Sequence, residues 1–127
     1  MKYPQELSYT KSHEWVRFTG DDTAEMGLTA FAQHSLGDLV YVELPEVGDE
    51  TEAGAPFANV ESVKAVSEVF CPLTGTVAAV NEELLDAPER INEDPYGAWI
   101  ARIEGITARA EFLTADAYAE FVESSDA

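Results

Sequence analysis

A chain of 127 residues, 46% of them hydrophobic, is long enough for one domain with a single buried core. Its 25 acidic residues against 7 Lys and Arg leave a formal charge of −18 and a pI near 4.1, a surface field that repels nucleic acid and anionic lipid and suits basic or salt-screened protein partners. Cys71 is the only cysteine, so no internal disulfide can form. With no stretch near the ~18 apolar residues of a membrane span and no leader-like run at 1–7, a reducing, cytoplasmic location is expected.

In chain order, residues 15–18 and 23–28 alternate apolar with polar or small side chains around Thr19-Gly20-Asp21-Asp22, which predicts an antiparallel hairpin. Thr29 is placed to cap a short helix through Leu36, with Phe31 and Leu36 inward and Gly37 supplying the positive φ that ends it. Residues 39–44 read as a strand stopped by Pro45 and the 46–49 turn. Residues 57–61 and 66–70 read as the two arms of a hairpin, and 76–80 as a strand returning across the sheet. Asn81 is a candidate cap for a turn of helix over 82–85, after which Pro88 and Pro95 should keep the chain irregular up to a last strand at 99–103. Thr114 can cap a helix over about 114–123, whose Tyr118, Phe121 and Val122 recur at three-to-four-residue spacing and should pack on the sandwich.

The chemically informative residue is Lys64, one of only three lysines among those 25 acids. It falls between the β-branched stretches 57–61 and 66–70, which puts its amine at a hairpin tip. An ordinary solvated lysine satisfies the spacing equally well; what distinguishes this one is its surroundings. Gly48 lies sixteen residues before it and Gly75 eleven after, two glycine turns bracketing the hairpin. Gly48-Asp49, Glu61-Ser62-Val63-Lys64-Ala65, Glu68-Val69 and Pro72-Leu73-Thr74-Gly75-Thr76-Val77 together resemble the lipoyl and biotinyl carrier domains over about residues 37–80.

Three further segments narrow the resemblance. Tyr9-Thr10-Lys11-Ser12-His13-Glu14-Trp15-Val16, the run from Phe31 to Pro45, and Asn92-Glu93-Asp94-Pro95-Tyr96-Gly97 followed by Trp99 are similar to the H protein family of the glycine cleavage system, so that nearly the whole chain is covered. The resemblance implies a mainly β fold: a carrier-type antiparallel β-sandwich (a barrel-sandwich hybrid) spanning 1–127, with a short internal helix and a C-terminal helix. It implies a non-catalytic carrier with lipoate in amide linkage to Lys64, Glu61, Ser62, Val63 and Ala65 being the residues recognised around it. It further implies an arm-docking cleft near Ser12, Glu14, His34 and Glu68. The implied partners are a glycine decarboxylase, an aminomethyltransferase, a dihydrolipoyl dehydrogenase and a lipoate ligase or lipoyl transferase. Biotin acceptors usually flank the lysine with methionines, whereas Met1 and Met26 lie elsewhere, so lipoate is expected. Two departures stand out: Glu68 occupies a position where the family usually has aspartate, and the family usually has one more residue between the Pro95-Tyr96 pair and Trp99.

Other constellations carry less. His13-Glu14 begins a zinc-type H-E-x-x-H, but Arg17 holds the second histidine's place. Adjacent acids such as Asp21-Asp22, Glu82-Glu83 and Glu93-Asp94 are what 25 acids in 127 residues produce without catalysis. Cys71 reads as a small buried hydrophobe, with no spacing that makes it a nucleophile. No metal site is expected. His34 is open to a surface reading as well as the docking one. The acidic composition fits a salt-rich cytoplasm or plain solubility. Two alternative functions are a lipoyl carrier or relay for another pathway, against whose dehydrogenase-arm form the absence of a Pro/Ala linker speaks, and a small enzyme using Glu14 and His34.

Overall fold

The computed structural model describes residues 2–125. Its strands are β1 (Ser8–Tyr9), β2 (Glu14–Phe18), β3 (Ala24–Leu28), β4 (Leu39–Glu43), β5 (Glu50–Thr51), β6 (Pro56–Ser62), β7 (Val66–Phe70), β8 (Leu73–Val80) and β9 (Ala101–Arg109). Its helices are α1 (Ala30–Leu36), α2 (Glu83–Asp86), α3 (Arg90–Glu93) and α4 (Ala115–Ser125). One sheet runs β1-β2-β3-β9-β8-β5 and the other β4-β6-β7, every paired neighbour antiparallel. The expected mainly β, antiparallel architecture with an internal and a C-terminal helix is what forms.

The alternation of side chains explains the core. Val16, Met26, Leu28, Val42, Val60, Val69, Leu73, Val77 and Ile103 are all buried in one cluster with Cys71, while their strand neighbours point to the opposite face, where Trp15 is buried in a second cluster beneath the C-terminal helix. The β2–β3 hairpin pairs Phe18 with Ala24 and closes through the Thr19 and Gly20 amides, which donate to the Thr23 carbonyl. Thr29 Oγ1 accepts from the Ala32 amide, 3.2 Å, and Gly37 ends α1 at φ 85°. Thr114 Oγ1 likewise accepts from the Ala117 amide at the start of α4.

As expected, Tyr118, Phe121 and Val122 of α4 pack on the sandwich, against Tyr9 of β1 and Trp15 of β2 in the second cluster with Leu7 and Ala115, roofed by aromatic contacts. Several elements differ from expectation. β1 is short enough that only its pairing with β2 and the Tyr9–Leu113 bridge define it. Asn81 offers its backbone carbonyl, not its side chain, to the Leu84 amide, and Glu82 stands at the cap without a side-chain bond. Between the two prolines Ile91 is fully buried and anchors the single turn α3; Pro88 precedes that turn and does not interrupt it. β9 starts at Ala101 and runs six residues past 103. Its exposed outer half lacks apolar alternation, and is held by Leu73–Arg109 and Thr74–Ala108 pairing.

Gly75 is not in a turn but inside β8, where the register shifts against β9. A Cβ there would lie 2.6 Å from the Glu104 carbonyl oxygen and 2.9 Å from Ile103 Cγ2. Because the first obstacle is backbone, it cannot swing away. Gly75→Ala is therefore expected to destabilise the fold by about 1–3 kcal/mol, read as a lower urea midpoint at unchanged slope; an unchanged midpoint would mean that β9 yields freely here.

Candidate functional site

The β6–β7 connection is a tight turn whose rigidity comes from one buried hydroxyl. Glu61 pairs with Val66 across the hairpin, leaving Ser62, Val63, Lys64 and Ala65 to reverse the chain. The Ser62 amide donates to the Ala65 carbonyl, 2.8 Å, and Ser62 Oγ accepts from the Lys64 and Ala65 amides at 3.3 and 3.0 Å. Ser62 is buried; Val63, Lys64 and Ala65 are exposed. The turn points its lysine into solvent while its backbone polar groups are satisfied locally.

A second set of bonds ties this turn to the end of α1. The Val63 amide donates to the Asp38 carbonyl, 3.2 Å. Asn92, from α3, accepts the Leu39 amide on Oδ1 at 2.9 Å and donates through Nδ2 to the Gly37 carbonyl at 2.8 Å and to Gln33 Oε1 at 3.0 Å. The chain on either side of Asp38 is thus fixed by one side chain. The lysine stem lies over Gly37, where a Cβ would come 3.6 Å from Lys64 Cε.

α1 and β7, which converge at this lysine, form the walls of a groove of about 170 Å³. Phe31, Ala32, Ser35 and Leu36 line it from α1, Ser67 and Glu68 from β7, with Ser12 and His13 also on its surface and Leu28 and Val60 beneath. Most of that lining is apolar, with a few polar groups among it, the usual make-up of a small-molecule site.

Of the four residues expected in a cleft, Ser12 and Glu68 line the groove. Glu14 lies just under it, 1% exposed. Its Oε1 accepts from Ser12 Oγ at 2.6 Å and Thr10 Oγ1 at 2.7 Å, while Oε2 accepts no hydrogen bond of ordinary geometry from the described residues. Burial raises the Glu14 pKa from 4.5 to about 7, against the opposing pull of the Ser12 and Thr10 hydroxyls and, more weakly, the Phe70 amide. His34 is exposed on α1 and does not line the groove: residues 31, 32, 35 and 36 share one side of the helix, and position 34 falls beyond its edge.

Sequence reasoning missed His13 and Asn92 as individual residues. Asn92 acts on groups 53 to 59 positions away, and His13 is marked only by a φ of 73°, the one positive value at a non-glycine residue among those described. Neither leaves a local sequence signal. No group of three or more His, Cys, Asp or Glu among the described residues could hold a metal, and no helix among them is long and apolar enough to cross a membrane.

The comparisons with known proteins point one way. The family model described as glycine cleavage H-protein matches residues 7–125. The chain is 59% identical over 123 residues to the glycine cleavage system H protein of Lachnoclostridium phytofermentans, covering 97% of each chain. It is 52% identical over 124 residues to the probable glycine cleavage system H protein of Haloarcula marismortui, covering 94% of this chain and 96% of that one. The crystal structure of a glycine cleavage system H protein from Mycobacterium marinum superposes with a TM-score of 0.88 at 39% identity, over 98% of this chain and 100% of the other. With sequence and fold in agreement, the chain belongs to the glycine cleavage H-protein family.

Proposed function

We propose that this protein is a lipoyl carrier of glycine cleavage, with Lys64 as the attachment residue, taking the aminomethyl group of glycine from a pyridoxal-phosphate decarboxylase to a folate-dependent aminomethyltransferase. The observation that carries the reading is the lysine itself: exposed, at the tip of a turn held by Ser62 Oγ and the Asp38 carbonyl, its stem over Gly37, the residue next to Leu36 on the wall of a mostly apolar groove. A flavin dehydrogenase for reoxidation and a lipoate ligase or lipoyl transferase complete the partner set, and the cytoplasm is the compartment that suits them.

The residues present fit lipoate. Lys64 Nζ can attack an activated lipoyl carboxyl, forming the amide as the activating group leaves and the amine's proton passes to solvent. Bound there, lipoate supplies a dithiol/disulfide pair that accepts and releases the one-carbon unit. The rest falls to the protein, and it is positional. Ser62 and Asn92 hold the root of the arm still, so that its reach is set by the arm alone and its effective concentration at a docked partner stays high. Leu28, Phe31, Leu36 and Val60 offer apolar wall to an aliphatic chain, and the Glu68 carboxylate and the Ser12 hydroxyl offer acceptors to a cationic cargo, with the buried Glu14 carboxyl behind Ser12 adding negative charge when ionised. His34, outside the groove, has no part in this reading. No step of the chemistry needs a catalytic group from this chain.

Peptide mass spectrometry of protein made alongside a lipoate ligase is the direct test. One lipoyl group on Lys64, with Lys2 and Lys11 free, is expected. Lipoate on Lys2 or Lys11 with Lys64 unmodified would overturn the assignment.

A further inference from the structure

His13 is held in place from three directions. Its amide donates to the Thr10 carbonyl at 3.1 Å and its carbonyl accepts from the Thr29 amide at 3.1 Å. Its Nδ1 shares a 2.7 Å hydrogen bond with the Tyr118 hydroxyl of α4, and that hydroxyl shares another of 2.7 Å with Thr29 Oγ1, the cap of α1. The ring packs 4.8 Å from Phe31 on the groove wall and 5.9 Å from Phe121 on α4, centroid to centroid. All this occurs at φ 73°, in the left-handed region that glycine takes freely and that asparagine, aspartate and histidine enter more often than other side chains. The contacts, more than the backbone angle, argue that the side chain has a use: they tie the ring to α4 and to the α1 cap at once.

The use suggested by the contacts is to fix the turn between β1 and β2. That turn places Ser12 on the groove and Glu14 beneath it, joined by their 2.6 Å bond. We propose that His13 is a positioning residue which, through the Tyr118 hydroxyl and the Thr29 cap, makes α4 the brace of the groove: the C-terminal helix sets how firmly Ser12 and Glu14 face a docked arm. α4 touches no part of the Lys64 turn among the contacts described, so the brace should govern holding of the arm and leave its attachment alone. The functional readout below rests on the carrier reading; the two spectroscopic ones do not.

The test compares wild type, Tyr118→Phe, which removes one hydroxyl and keeps the ring, His13→Asn, which tolerates the positive φ but is too short for the bond, and the double variant. In unmodified protein, ring nitrogen chemical shifts should show His13 fixed in one tautomer; in Tyr118→Phe a mixture should appear. Amide exchange at position 13 and at Thr29 should quicken about tenfold in each single variant, the scale of one buried hydrogen bond, and at position 13 no further in the double variant, since both changes break the His13–Tyr118 bond. At Ala32, whose cap Thr29 is bonded to the Tyr118 hydroxyl, exchange should quicken in Tyr118→Phe and not in His13→Asn. In lipoylated, aminomethyl-loaded protein, ammonia loss without the transferase should rise by a similar factor, while lipoylation of Lys64 proceeds at the wild-type rate. A mobile tautomer in the wild type, unchanged exchange in Tyr118→Phe, or effects that add at position 13 in the double variant would each overturn the brace. Failure of Lys64 to take lipoate in the wild type would instead strike the carrier reading and leave the exchange and tautomer results to decide this one.

Discussion

Lys64→Arg is expected to reduce glycine–bicarbonate exchange, in a reconstituted system, to the level found without the carrier, while the protein unfolds within about 0.5 kcal/mol of wild type. Both halves follow from the turn. Lys64 is exposed and makes no hydrogen bond through its side chain among those described; what holds the reversal is the Ser62 hydroxyl and the backbone of residues 62–65, which arginine leaves untouched. Charge is also kept. Lost is the primary amine: a guanidinium stays protonated and offers no free electron pair to an activated carboxyl. Circular dichroism and a thermal scan report the first half, the exchange assay the second. Exchange near the wild-type rate, in a variant shown by intact mass to carry no lipoate, would remove Lys64 from the function.

The elements legible in the sequence are those whose cause is local. Thr29, Gly37 and Thr114 were readable because a cap depends on residues within a turn of it. The lysine hairpin was readable because period-2 stretches on either side leave few ways to reverse. β9 and α3 were less so. The outer half of β9 is exposed and polar, and only its partner strand defines it. α3 is one turn around a single buried Ile91, between two prolines that read as breakers. The same division runs through the site. Lys64 stood out through its rarity among the acids and the motifs that flank it, but the Asn92 brackets and the His13–Tyr118–Thr29 chain join residues up to 105 positions apart, and no periodicity encodes that. Gly75 shows the converse: its presence was legible, yet whether it served a turn or a close approach of two backbones depended on where β9 passes.

Glu14→Gln should change the pH dependence of stability more than any other single replacement at the groove. The folded-state pKa of Glu14 is raised from 4.5 to about 7, with burial the largest cause. A carboxyl so raised binds its proton more tightly when folded; its contribution to stability is fully present below pH 4.5 and is lost as the pH climbs through 7. At 1.36 kcal/mol per unit, the loss is on the order of 3 kcal/mol. Glutamine cannot ionise, and its oxygen can still accept from Ser12 and Thr10. Its amide nitrogen takes the place of Oε2, which accepts no hydrogen bond of ordinary geometry from the described residues, and since glutamine does not titrate, any cost there is the same at every pH. The other carboxylates titrate in both proteins and cancel in the comparison. The stability of Glu14→Gln relative to wild type should thus grow by roughly that 3 kcal/mol between pH 4 and pH 8, read by urea denaturation at each pH. A constant difference across the range would show that Glu14 ionises without penalty and is better solvated than its burial indicates. On the carrier reading, the same penalty has a consequence for function. A cation docked beside Ser12 favours the carboxylate and draws its pKa back down. Loading the arm should therefore return, at pH 8, part of the stability that the empty groove gives up, and the Gln variant should show no such gain.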